Sequence, residues 1–229
     1  MTRQDYIVAI GKLVGGEHPL GEPEKLLAIG MAVKTHSRHR PRVIVEDESG
    51  DGGFDYAMTL LASWTEGFSK IKQVEYPVDD TDETADILQD DAWTIYEKPS
   101  GKSLRFLEDK PAATESFRVT YTALHTCADD DSTIESLDDE AVQALSAAYF
   151  CEMLATYYAQ NQGSTINADS VDHTSKARDY SARAKSYRKM YFDHLGVEEG
   201  KTLAASVTRD QDKAASWGSD KLTHKKRYR

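Results

Sequence analysis

Two short stretches at the start of the chain carry apolar residues at helical spacing. In RQDYIVAIGKLV, residues 3–14, Tyr6, Ile10 and Leu13 fall on one side of a helix, and in PEKLLAIGMAVKTHSRH, residues 23–39, Leu26, Ile29 and Val33 do the same. Pro23 suits a first helical turn, where its missing N–H costs nothing. Arg40-Pro41 closes the second helix, because the residue before a proline is pushed out of helical geometry. From 43 to about 125 the pattern changes. RVIVEDE, SKIKQVEYPV, AWTIYEKPSGKSLRFLE and SFRVTYTALH are rich in Val, Ile, Tyr, Phe and Thr with Gly and Pro between them, which predicts strands. Two of these apolar runs flank EKPSGKS, so a hairpin is expected there.

Helical spacing returns at STIESLDDEAVQALSAAYFCEMLATYYAQNQG. Ser136 followed by Asp139 reads as an N-terminal cap, and Gly163 stands where the helix would end, which predicts a helix over 138–162. Within residues 147–159 only Glu152 is charged, so this helix must be covered on most sides. A second long helix follows over 170–195. Its Ala177, Tyr180, Ala184, Tyr187, Tyr191 and Leu195 form an apolar stripe about 80° wide. Arg178, Lys185 and Lys189 lie on its far side as a basic face, and Gly196 ends it. Tyr149, Met153, Tyr180, Tyr187 and Tyr191 are the expected core between the two helices, with Tyr187 enclosed. After 197 no period is sustained, and the chain reads as an extended tail.

The fold class expected is therefore α+β: a helical core made of two short N-terminal and two long C-terminal helices, with a β-rich insertion and an extended C-terminal tail. The corresponding segments are 1–42, 43–128, 129–196 and 197–229.

Charge divides along the same lines. The 229 residues carry a formal net charge of -11, yet 201–229 hold eight Lys and Arg against three Asp, leaving -16 on the rest. Two blocks, 79–91 and 129–140, contribute seven carboxylates each. An acidic body with a basic tail predicts that the tail meets an acidic surface. The tail holds too few large apolar groups for a core of its own. Trp217 is its candidate anchor in a pocket of a partner protein, with Lys221, Lys225, Lys226 and Arg227 meeting acidic rim groups and Leu222 and Tyr228 as further partner-binding residues. No run is long and apolar enough to predict a membrane span, and the first residues do not read as a signal peptide.

Motifs for chemistry are weak. GKS at 101–103 lacks the glycine of a phosphate-binding loop, since Tyr96 stands in its place and a strand follows. Asp129, Asp131 and Glu140 fit three positions of a calcium loop whose obligatory glycine is here Ile134, so a solvated acidic loop is expected. His125 and Cys127 would share a strand face as a thiol–imidazole pair, but no third orienting group is at hand. His36 and His39, among Lys34, Arg38, Arg40 and Arg42, read as a charged helix terminus. Both cysteines, Cys127 and Cys151, are expected to be reduced. No catalytic residue, metal site or cofactor is expected. A basic helix can also neutralise phosphates, but Asp179 and Asp193 interrupt this one.

The run AAYFCEMLATYYAQNQGSTINADSVDHTSKARDYSARAKSYRKMYFDHLG, from Ala147 to Gly196, together with YTALHTC before it, resembles head-to-tail adaptor (connector) proteins of tailed bacteriophages. This resemblance implies a structural component of the virion neck, made in the host cytoplasm, that forms a ring, a dodecamer, joining the portal of the head to the tail. The implied partners are the portal protein, neighbouring copies and a tail or stopper protein below, with DNA passing transiently through the lumen and no membrane. The β-rich stretch is larger than a minimal adaptor needs, which keeps another neck or tail-completion protein, a terminator or stopper, as the alternative. A nucleic-acid-binding module and a His/Cys enzyme are the remaining readings.

Overall fold

The computed structural model describes residues 1–78, 86–99, 101–160 and 173–197. Its order is α1 (Arg3–Val14), α2 (Glu22–His39), β1 (Arg42–Ser49), β2 (Asp55–Ala57), a single 3-10 turn at Met58–Leu60, β3 (Ile71–Glu75), β4 (Trp93–Lys98), β5 (Gly101–Phe106), β6 (Ser116–Ala123), α3 (Asp139–Gln160) and α4 (His173–Leu195). The fold is α+β, with four helices and two small antiparallel sheets among the described residues.

Local chemistry explains where the helices begin and end. Thr2 and Asp5 form a reciprocal capping box that satisfies free N–H groups at the start of α1. Pro23 sits in the first turn of α2. At the end of α4 the N–H of Gly196 (φ 68) reaches Asp193 O and that of Val197 reaches Phe192 O. This is a Schellman closure, whose positive φ favours glycine. The start of α3 departs from expectation. Ser136 does not cap it. A turn closed by the Asp138 N–H on Glu135 O comes first, and the helix starts at Asp139.

Both long helices pack antiparallel. Arg188 near the end of α4 pairs with Glu152 of α3, and the Tyr158 and Tyr180 rings stack with centroids 5.6 Å apart at the opposite end. Helices α1 and α2 cover further faces of α3. Its Ala141, Val142, Leu145, Ala147, Phe150, Cys151 and Leu154 are buried against Tyr6, Ile10, Val14, Ile29, Val33 and Tyr191. The apolar faces of α1 and α2 differ from the expected ones. Leu13 and Leu26 are 37% and 36% exposed, while Ile7 and Val14, and Ala28 and Ala32, are buried beside the anticipated Ile10 and Ile29. Ala28 and Ala32 thus belong to the same buried cluster as the apolar residues of α3.

Between α2 and α3 stands a second core. One sheet has the order β1-β6-β3 and the other β2-β5-β4, all neighbours antiparallel. They share one apolar interior, in which Tyr56 lies edge-on to Phe106 and tilted over Phe117 at 5.6 and 4.6 Å, with Val74, Leu104, Val119 and Tyr121 around them. The hairpin expected at EKPSGKS is the β4–β5 connection, with Lys98 opposite Gly101.

Candidate functional site

The chain crosses between helices and sheets twice, at Arg40-Pro41 and after Ala123, and both crossings meet at one place. There the N–H of His125 donates to Ser37 Oγ at 2.9 Å. The two ring nitrogens of His125 lie 2.9 Å from the carbonyl oxygens of Thr133 and Arg40. Arg3 of α1 reaches the Cys127 carbonyl with Nε and Nη2 at 3.2 and 3.0 Å. The imidazole is thus a brace between the end of α2 and the turn before α3.

Beside it lies a buried carboxylate. Asp138 Oδ1 accepts from Arg40 Nη1 at 2.5 Å and lies 2.8 Å from His194 Nε2 on α4. Its Oδ2 is 3.5 Å from Nε2 of His36. Burial alone would push the Asp138 carboxyl up, but the hydrogen bonds of Arg40 and His194, with the charge of Arg40, hold it below the ordinary carboxylate value. A charged Asp at this place also faces the N-terminal dipole of α3. One side chain therefore ties α2, α3 and α4 together.

His36 corrects the expectation of a charged helix terminus. It is fully buried, and its Nε2 has no hydrogen-bond partner. Burial pushes its pKa down to about 4 despite the pull of Asp138, so the ring is neutral at pH 7. Its Nδ1 lies 3.4 Å from the Tyr191 hydroxyl, which is also 3.1 Å from His39 Nδ1. His39, likewise, is lowered chiefly by burial.

The pairing of His125 with Cys127 is not made. β6 ends at Ala123, so the two do not share a strand face. The imidazole is held by carbonyls, and burial pushes the Cys127 thiol up, away from the thiolate that a nucleophile needs. Cys151 is buried in the helical core with its thiol raised to about 11. Among the described residues no group of three or more His, Cys, Asp or Glu is placed to hold a metal ion, and no helix is long and apolar enough to cross a membrane.

The other anticipated residues are distributed as follows. Tyr191 is fully buried. Tyr149, Met153, Tyr180 and Tyr187 are partly buried against the same core. Tyr187 is not enclosed: its hydroxyl reaches out to Leu13 O at 2.7 Å. Arg178, Lys185 and Lys189 are exposed. Trp217, Lys221, Leu222, Lys225, Lys226, Arg227 and Tyr228 lie outside the described residues.

Asp138, Arg40 and His194 were not singled out by pattern. Asp138 sits in an acidic block that reads as a solvated loop, and nothing in DDDSTIESLDDE separates its buried members from its exposed ones. A carboxylate just ahead of an apolar helix was the one signal present.

No family model matches the chain, and no curated protein matches it.

Proposed function

We propose that this chain is a structural component of a tailed-bacteriophage neck, forming a ring that joins the portal of the head to the tail and lets DNA pass. The observation that carries the reading is the likeness of Ala147–Gly196 to head-to-tail adaptors. The described part of that run forms most of the antiparallel pair α3–α4, the unit on which α1 and α2 rest. Further support comes from where polar chemistry is spent. The buried Asp138 and His125, with the half-exposed Arg40, are used to fix one element against another, as a load-transmitting subunit requires.

The test has two arms. Deleting the gene should leave DNA-filled heads without tails, and the purified chain mixed with the phage's portal protein should give a defined complex by native mass measurement. Mass spectrometry of purified virions that finds no copies of the chain refutes the reading. Recovery of the tail-side protein in place of the portal moves the ring to a terminator or stopper layer, a position favoured by the size of the two-sheet insertion.

A further inference from the structure

Helix α4 packs on α3 and leaves its opposite face bare. Arg178, Ala182, Lys185 and Lys189 are all exposed and lie within about 60° of one another around the helix. The three cations make no ion pair among the described residues. Arg183 and Arg188, off this stripe, are engaged by Val14 O and Glu152. With a methyl group at its centre and three aliphatic stems around it, the face is a shallow apolar floor rimmed by positive charge.

A complementary surface occurs elsewhere on the same chain. Leu137, in the turn before α3, is 78% exposed, the highest value among the large exposed hydrophobic residues described. Glu135 and Glu140 flank it in sequence, and Asp130 stands in the preceding turn, all exposed and without ion pairs among the described residues. The other acids of this block are spent: Asp129 on Arg3, Asp131 on the Ser132 N–H, Asp138 and Asp139 in buried contacts.

The two surfaces point apart within one molecule. Asp138 is fixed to His194, which lies about 140–180° around α4 from Arg178, Lys185 and Lys189, so the Leu137 turn sits on the opposite side of the helix near its C-terminal end, with Arg178 sixteen residues, about 24 Å, away along it. We propose that the outer face of α4 docks the 130–140 turn of a second copy, with Leu137 on Ala182 and the carboxylates of Asp130, Glu135 and Glu140 opposite Arg178, Lys185 and Lys189. A second copy fits better than nucleic acid, because Asp179 and Asp193 border the ridge and the body around it is negative. The contact joins two different patches, so it is head-to-tail and closes into a ring or runs on as a filament. It rests on the neck reading only for closure into a ring.

Light scattering and native mass spectrometry of the full chain against concentration test it. The parent should assemble, more weakly at high salt. Leu137→Ser, the pair Lys185→Glu/Lys189→Glu, and the pair Asp130→Lys/Glu135→Lys should each raise the half-assembly concentration by at least about tenfold, with unchanged melting temperature. Mixing the two charge-reversed proteins should restore assembly, because each then meets its complement. Assembly of all three variants at parental concentration places the contact elsewhere and overturns this inference while leaving the ring reading intact. A parent that stays monomeric at every concentration overturns the inference too, and the portal complex then decides the neck reading separately. Oligonucleotide binding that Lys185→Glu/Lys189→Glu abolishes, with assembly unchanged, gives the face to nucleic acid instead.

Discussion

Tyr187 and Tyr191 stand one helical turn apart on the same stripe of α4, yet they do different work. Tyr191 is fully buried beneath His36 and His39, whereas Tyr187 reaches the edge of the core and ends on a carbonyl. Tyr191→Ala should therefore cost about 3–5 kcal/mol, as removal of a large enclosed side chain does. Tyr187→Ala should cost about 1–2 kcal/mol, for one hydrogen bond and partial burial. Urea melts of the two variants check the order, and equal losses would contradict it. His36 makes a second residue-scale prediction. Its folded pKa is depressed to about 4 from an ordinary 6.5, so the folded state binds fewer protons than the unfolded chain in that window. Stability is then fully present above 6.5 and falls as pH drops toward 4, by up to about 3 kcal/mol from this ring. His39 is shifted in the same direction and adds to the slope. The His36→Leu protein should lose less stability than the parent between pH 6.5 and 4.5 in the same melts.

At the scale of elements, the pattern of the sequence reports what each segment is far better than which side it turns inward. The ends of α1 and α2 follow from Pro23, Arg40-Pro41 and periodicity, and the β4–β5 hairpin from its turn residues, because all of these are local. The short β2 went unseen: three residues, DYA, are too few to show a period. Leu13 and Leu26 were assigned inward by their helical spacing from Ile10 and Ile29, yet both are exposed. In α2 the buried positions include Ala28 and Ala32 instead, small residues that a search for large hydrophobes passes over. His36 was misassigned for a related reason. Its neighbours Lys34, Arg38 and Arg40 are cationic, but a helix turns side chains through 100° per residue, so neighbours in sequence face different surroundings. Of the junction, His125 drew notice for chemistry it does not perform, and His36 and Arg40 only as part of a charged helix end. The partners that define it, Arg40 with His125 and Asp138 and then Asp138 with His194, come from segments 56 to 98 residues apart, a separation that no local pattern carries.

At the scale of the molecule, the described residues form two hydrophobic cores joined through one polar junction. A sandwich grafted onto a helical body by two strands of chain would ordinarily move as a separate unit, since few contacts cross. Here Asp138 couples the body to the connection itself, by holding Arg40, the residue that leads into β1, and His194 of α4 at once. The carboxylate is buried while Arg40 and His194 remain partly exposed to water, so removing its charge weakens both bonds without burying an unpaired cation. Loss of a charge-assisted hydrogen bond of this kind costs about 1.5–3 kcal/mol. The consequence should be loss of coupling as well as of stability. Trp64 and Trp93, the tryptophans among the described residues, belong to the sandwich core, while far-ultraviolet circular dichroism at about 222 nm follows the helices. In the parent the two signals should melt together, as one cooperative transition. In Asp138→Asn, which keeps the size of the side chain and loses its charge, the helical signal should fall first, since that substitution strips the body of the bond that closes α4 onto α2 and α3. The tryptophan signal should hold to a higher temperature, because Tyr56, Phe106 and Phe117 are untouched. Coincident melting of the two probes in the variant, at whatever temperature, would mean that the sandwich and the helices are coupled by contacts other than Asp138.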